Sequence, residues 1–73
     1  MANIEARTDV TGAVWKIVTE VGQRVEAGHT IMIIESMKME IPVVSEENGT
    51  VERFLVEEKT PVTEGQVVAI LKA

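Results

Sequence analysis

The chain reads as an all-β fold, two similar halves packed into one flattened antiparallel sandwich or barrel. Three observations predict it. Hydrophobic residues make up 45% of 73 positions, yet Trp15 and Phe54 are the only aromatics. The rest is dominated by valine and isoleucine, which fit a pleated, half-buried surface. Apolar residues come in runs no longer than four or five, separated by polar segments that carry Gly, Pro or Asn-Gly, and helical spacing is sustained nowhere. Finally, offsetting the sequence by 37 positions pairs residues 4–35 with 41–72 without a gap, and seven of the 32 pairs are identical. These are Ile4/Ile41, Gly12/Gly49, Val14/Val51, Glu20/Glu57, Val25/Val62, Gly28/Gly65 and Ile33/Ile70. The paired glycines are expected at turns and most paired apolar residues in strands, so the repeat predicts two four-strand halves related by a pseudo-twofold. Each half is too small to bury its apolar face alone, and packing them together solves that.

In order, residues 2–7 are expected as a strand and 8–12 as a turn. Residues 13–18 form the next strand, apolar on both faces apart from Lys16. A polar segment at 21–28, punctuated by two glycines, leads to a strand from Ile31. Ile31-Met32-Ile33-Ile34 and Ile41-Pro42-Val43-Val44 flank Glu35-Ser36-Met37-Lys38-Met39-Glu40, which predicts a hairpin with Lys38 at or next to its tip. Pro42 predicts an edge strand, because its nitrogen offers no ladder donor. Asn48-Gly49 marks a turn, 51–56 a strand, 57–66 a loop containing Pro61 and Gly65, and 67–71 the last strand. The twofold puts the central hairpin, which joins the halves, at the opposite end from the termini.

Composition narrows the function. At 8.0 kDa the chain is expected as a single domain over residues 1–73. A domain of this size buries only about 60% of its unfolded surface, so no deep catalytic cleft is expected. The formal charge is 7 minus 12, or −5, with no basic run, which argues against nucleic acid and acidic membranes as partners. There is no cysteine, and the first residues lack the basic and apolar segments of a signal peptide. A soluble, cytoplasmic protein is expected. His29 is the single histidine and Asp9 the single aspartate, so neither a metal site nor a Ser/His/Asp arrangement is predicted, and the chain is not expected to be an enzyme. Glu46-Glu47 and Glu57-Glu58 are expected as solvated turns, His29 as a loop residue, and Trp15 as a partner contact if exposed.

The hairpin carries the chemistry. A two-residue turn favours Asn, Gly or Asp, whereas Met37 and Met39 are large, apolar and adaptable, the side-chain type found where a partner grips a surface. The residues point to a lysine presented for recognition rather than to an ordinary solvated turn.

Glu35-Ser36-Met37-Lys38-Met39-Glu40, within Gly12-Ala13-Val14, the segment 21–28, Gly49-Thr50-Val51 and the segment 61–66, resembles the biotinyl/lipoyl carrier domain family across essentially the whole chain. That resemblance implies a flattened eight-stranded antiparallel barrel, the barrel-sandwich hybrid, with biotin joined covalently to Lys38. Met37 and Met39 would be flanking recognition residues, and Glu35, Ser36 and Glu40 would complete the hairpin. It further implies a biotin protein ligase as modifying partner, with a biotin carboxylase and a carboxyltransferase as the partners between which the arm shuttles a carboxyl group. The commonest biotin pattern has alanine where this chain has Ser36, and the short segment between Val18 and Val25 leaves no room for the thumb insertion of some acetyl-CoA carboxylase carriers. A free-standing attachment protein of the biotin carboxyl carrier type is expected. Two alternatives remain: lipoate on Lys38, although lipoyl hairpins usually read Asp-Lys-Ala, and an unmodified protein-interaction module of the same fold.

Overall fold

The computed structural model describes residues 3–73. Eight strands account for its regular structure: β1 (Asn3–Arg7), β2 (Gly12–Ile17), β3 (Arg24–Val25), β4 (Thr30–Ser36), β5 (Met39–Val44), β6 (Gly49–Phe54), β7 (Pro61–Val62) and β8 (Val67–Lys72). Position 2, expected as the start of the first strand, lies outside the described residues. Segments 21–28 and 57–66, read as a polar stretch and a loop, each contain a two-residue strand, β3 and β7.

Two antiparallel four-stranded sheets result, ordered β1-β8-β6-β3 and β5-β4-β2-β7. Adding 37 to each residue number carries β1 onto β5, β2 onto β6, β3 onto β7 and β4 onto β8, so the two sheets have the same order. Neither sheet belongs to one half: each takes two strands from either side of the hairpin. The halves are interleaved, which ties both sheets into one core. Ile31, Met32, Ile34, Val14, Val51, Val68 and Leu71 fill it, all at most 1% exposed, and each such side chain contributes about 1.5–3 kcal/mol relative to exposure.

The twofold extends to loop hydrogen bonds. Gly28 N–H donates to Ser45 O at 2.7 Å and Gly65 N–H to Thr8 O at 2.8 Å; Ser45 N–H donates to His29 O and Thr8 N–H to Gln66 O. Gly28 and Gly65 sit at positive φ of 91° and 86°, as glycines at tight turns do. Gly12 and Gly49 differ from the expectation of turns: both open strands. They are glycine for lack of space, since a Cβ would lie 2.2 Å from Glu35 O at Gly12 and 2.7 Å from Lys72 O at Gly49. Asn48 does not turn a hairpin either; its Oδ1 accepts from Ala27 N–H at 2.8 Å.

These contacts fix the ends of the molecule, which measures 36 × 18 × 17 Å. Asn3 pairs with Lys72 and Lys72 with Thr50 at one end. At the other, the loop at 8–11 bonds the turn at 63–66 and the base of the β4–β5 hairpin. The hairpin and the described ends of the chain thus lie at opposite ends, as the repeat predicts. Pro42 lies on β5, an edge strand.

Candidate functional site

β4 and β5 pair through Ile33↔Pro42, Ile34↔Ile41, Glu35↔Glu40 and Ser36↔Met39, leaving Met37 and Lys38 as a two-residue connection. Both have positive φ, 53° and 67°. Positive φ at both central residues is the signature of a type I′ turn, whose twist matches that of the flanking strands. Asn and Gly reach this region readily, whereas a side chain with an unbranched aliphatic stem costs about 1–2 kcal/mol per residue there. The turn therefore holds a local conflict of roughly 2–4 kcal/mol between residue type and backbone. A second conflict lies beneath it: Glu35 and Glu40, both exposed, face each other directly across the strands, and like charges so placed repel.

The base resists both. Ile34 and Met32 are fully buried beneath the hairpin. Ser36 Oγ donates to Thr11 O at 2.8 Å, and Thr11 Oγ1 accepts from Glu64 N–H at 2.9 Å, so the hairpin is braced to two loops. The close packing of Gly12 against Glu35 O adds a third hold. Above this base the tip is open: Met37 is 92% exposed and Met39 62%, and Lys38 is exposed with no hydrogen bond or ion pair among the described residues. The geometry suits a group joined covalently at the lysine nitrogen, because a long side chain on a fixed turn can enter another protein's active site with nothing of its own fold in the way.

All six residues expected at the hairpin, Glu35, Ser36, Met37, Lys38, Met39 and Glu40, are brought together there. Sequence reasoning missed the Ser36–Thr11 bond, which spans 25 positions and leaves no local signal. It also missed why Trp15 is 47% exposed. The β2–β4 register shifts between Val14 and Lys16, making Trp15 the extra residue of a β-bulge; the β6–β8 register shifts in the same way around its equivalent, Glu52. Glu58 is exposed, as expected of a turn, but its Oε2 accepts from Ile17 N–H at 3.0 Å and closes the end of β2. His29 lies exposed in its loop. No group of His, Cys, Asp or Glu among the described residues is arranged to hold a metal ion, and no helix among them is long and apolar enough to cross a membrane.

Two interleaved sheets ending in a braced, lysine-tipped hairpin define the class of fold, and comparison with known proteins gives the family. The chain belongs to the biotin/lipoyl attachment family, whose model, described as biotin-requiring enzyme, matches residues 5–71; domains of this family carry biotin or lipoate covalently. It is 39% identical over 59 residues to the biotin/lipoyl attachment protein of Bacillus subtilis, covering 81% of each chain. It is 38% identical over 61 residues to the biotin-dependent acyl-coenzyme A carboxylase alpha3 subunit of Mycobacterium leprae, 84% of this chain but 10% of that one. It is 36% identical over 67 residues to the dihydrolipoyllysine-residue succinyltransferase of the Staphylococcus saprophyticus 2-oxoglutarate dehydrogenase complex, 92% of this chain and 15% of that one. Among solved structures, Kluyveromyces lactis urea carboxylase superposes with a TM-score of 0.92 at 35% identity, over 97% of this chain and 6% of that one.

Proposed function

We propose that Lys38 is the attachment residue and biotin its cofactor, and that residues 1–73 act in the cytoplasm as one carrier domain rather than as an enzyme. A biotin protein ligase would modify it, after which the arm serves a biotin carboxylase and a carboxyltransferase in turn. The observation that carries this reading is the turn itself: an exposed lysine in the left-handed region, between two exposed methionines, on a braced base. Joining the cofactor requires Lys38 Nζ to attack the carbonyl of an acyl-adenylate, with adenylate leaving and the amine proton passing to the ligase. The domain's part is to present that amine in few conformations, which lowers the entropic cost of docking. Bound biotin supplies the atom on which a carboxyl group travels. Tethering raises its concentration at each active site to roughly the millimolar range.

The relatives named as carboxylases support biotin, as do methionines on both sides of Lys38. A second reading, lipoate on Lys38, is favoured by the similarity to the succinyltransferase component. One experiment separates them. The chain is produced in cells supplied with biotin, lipoate and both ligases, and its intact mass and peptide map are measured. The expected result is an increment of biotin less water on the Lys38 peptide, absent in Lys38→Ala. A lipoyl increment would move the protein to acyl transfer, and an unmodified Lys38 would refute attachment and leave an interaction module.

A further inference from the structure

The chain has four methionines, and the three among the described residues lie in sharply different surroundings. Met32 is 0% exposed, on β4 within the core, while Met37 and Met39, on either side of Lys38, are 92% and 62% exposed. Oxidation of a thioether follows exposure, and it converts a flexible apolar side chain into a polar one. The structure thus separates a protected sulfur from two accessible ones five and seven positions further along the sequence.

We propose that Met37 and Met39 are sites of reversible oxidation by hydrogen peroxide, and that their sulfoxides block recognition of Lys38. In each step the sulfur lone pair attacks one peroxide oxygen; an S–O bond forms and the O–O bond breaks. Sulfur loses two electrons, the other oxygen leaves as hydroxide, and the proton on the newly bound oxygen passes to that hydroxide, giving sulfoxide and water. The fold has no reason to respond, because neither side chain is part of the core. The partner does: a surface shaped for a thioether must now bury an S=O dipole without a prepared donor, an unfavourable exchange. This inference rests on reading Lys38 as the attachment residue.

The test uses the full unmodified chain, treated with hydrogen peroxide, which is removed before biotin ligase, biotin and ATP are added. Peptide mapping should find sulfoxide at Met37 and Met39 while Met32 remains a thioether. The initial rate of modification should fall about tenfold, as burying one unpartnered polar group implies. Methionine sulfoxide reductases of both stereospecificities, supplied with a dithiol that gives up two electrons and two protons per sulfoxide so that the oxygen leaves as water, should restore it. Met37→Leu/Met39→Leu, compared with its own untreated rate, should be insensitive to peroxide, which separates these sulfurs from any oxidation at the exposed Trp15. Oxidation of Met32 as rapid as that of Met37 and Met39, or an oxidised chain modified at the untreated rate, would overturn the inference while leaving the attachment reading intact. An untreated chain that is not modified would instead refute the attachment reading and the inferred block together.

Discussion

Replacing Met37 with asparagine tests whether the turn gives up stability in favour of recognition. Met37 holds φ at 53° in a type I′ geometry, where an ordinary side chain costs about 1–2 kcal/mol and asparagine, bonding locally, costs less. Little packing is lost in exchange. With Met37 92% exposed, less than a tenth of the roughly 1.5–3 kcal/mol of a buried methionine is at stake, about 0.2 kcal/mol. The net expectation is a gain of about 0.5–1 kcal/mol, which for a domain of this size raises Tm by roughly 3–6 °C. Thermal unfolding followed by circular dichroism reads it directly. If Met37 serves docking, as proposed above, the same variant should also be modified more slowly by a biotin ligase, the trade expected where a strained site serves function. A Tm at or below that of the parent would refute the stored strain. A higher Tm with an unchanged modification rate would confine Met37 to an accident of sequence.

Three further perturbations probe the base and the lysine. Ser36→Ala removes the bond to Thr11 O and should lower stability by about 0.5–1.5 kcal/mol in urea titration, with Ser36→Thr recovering part of it. Gly12→Ala puts a Cβ 2.2 Å from Glu35 O, so β2 must move away from β4; a loss of about 1–3 kcal/mol, the usual cost of overpacking, is expected in the same titration. Lys38→Arg keeps charge and length but offers no amine of the right kind, and should abolish the biotin mass increment while leaving stability within about 0.5 kcal/mol, as for other exposed substitutions.

Much of this was legible in the sequence, and the exceptions have physical causes. β4, β5 and β8 announced themselves through valine and isoleucine runs, β1, β2 and β6 through shorter apolar stretches beside turn residues, and the hairpin through the runs either side of it. Arg24–Val25 and Pro61–Val62 are too short to show a period, and a proline argues against a strand, although the repeat does place one on the other. Self-similarity told which residues are equivalent but not which strand sits beside which, so the exchange of strands between sheets was invisible. Gly12 and Gly49 read as turn residues because a glycine placed for lack of space looks, in one dimension, like one placed for positive φ. The brace from Ser36 to Thr11 needs the third dimension altogether. The hairpin tip stood out because local rules fail there: a turn that favours Asn-Gly carries Met-Lys instead.

The hairpin and the paired residues Asn3 and Lys72 occupy corresponding places under the twofold, one closed by a turn and the other open. Any chain joined at Asn3 or Lys72 therefore leaves from the end remote from Lys38, and the domain becomes a rigid strut in series with the arm. Its longest dimension is 36 Å. A flexible tether with a root-mean-square span of 5–6 Å times the square root of its length would need about 40 residues to match that distance. The strut covers it without the entropy of a loose chain, so under the proposed attachment at Lys38 the travel of a cargo would be set by the body of the domain as well as by whatever joins it to its neighbours.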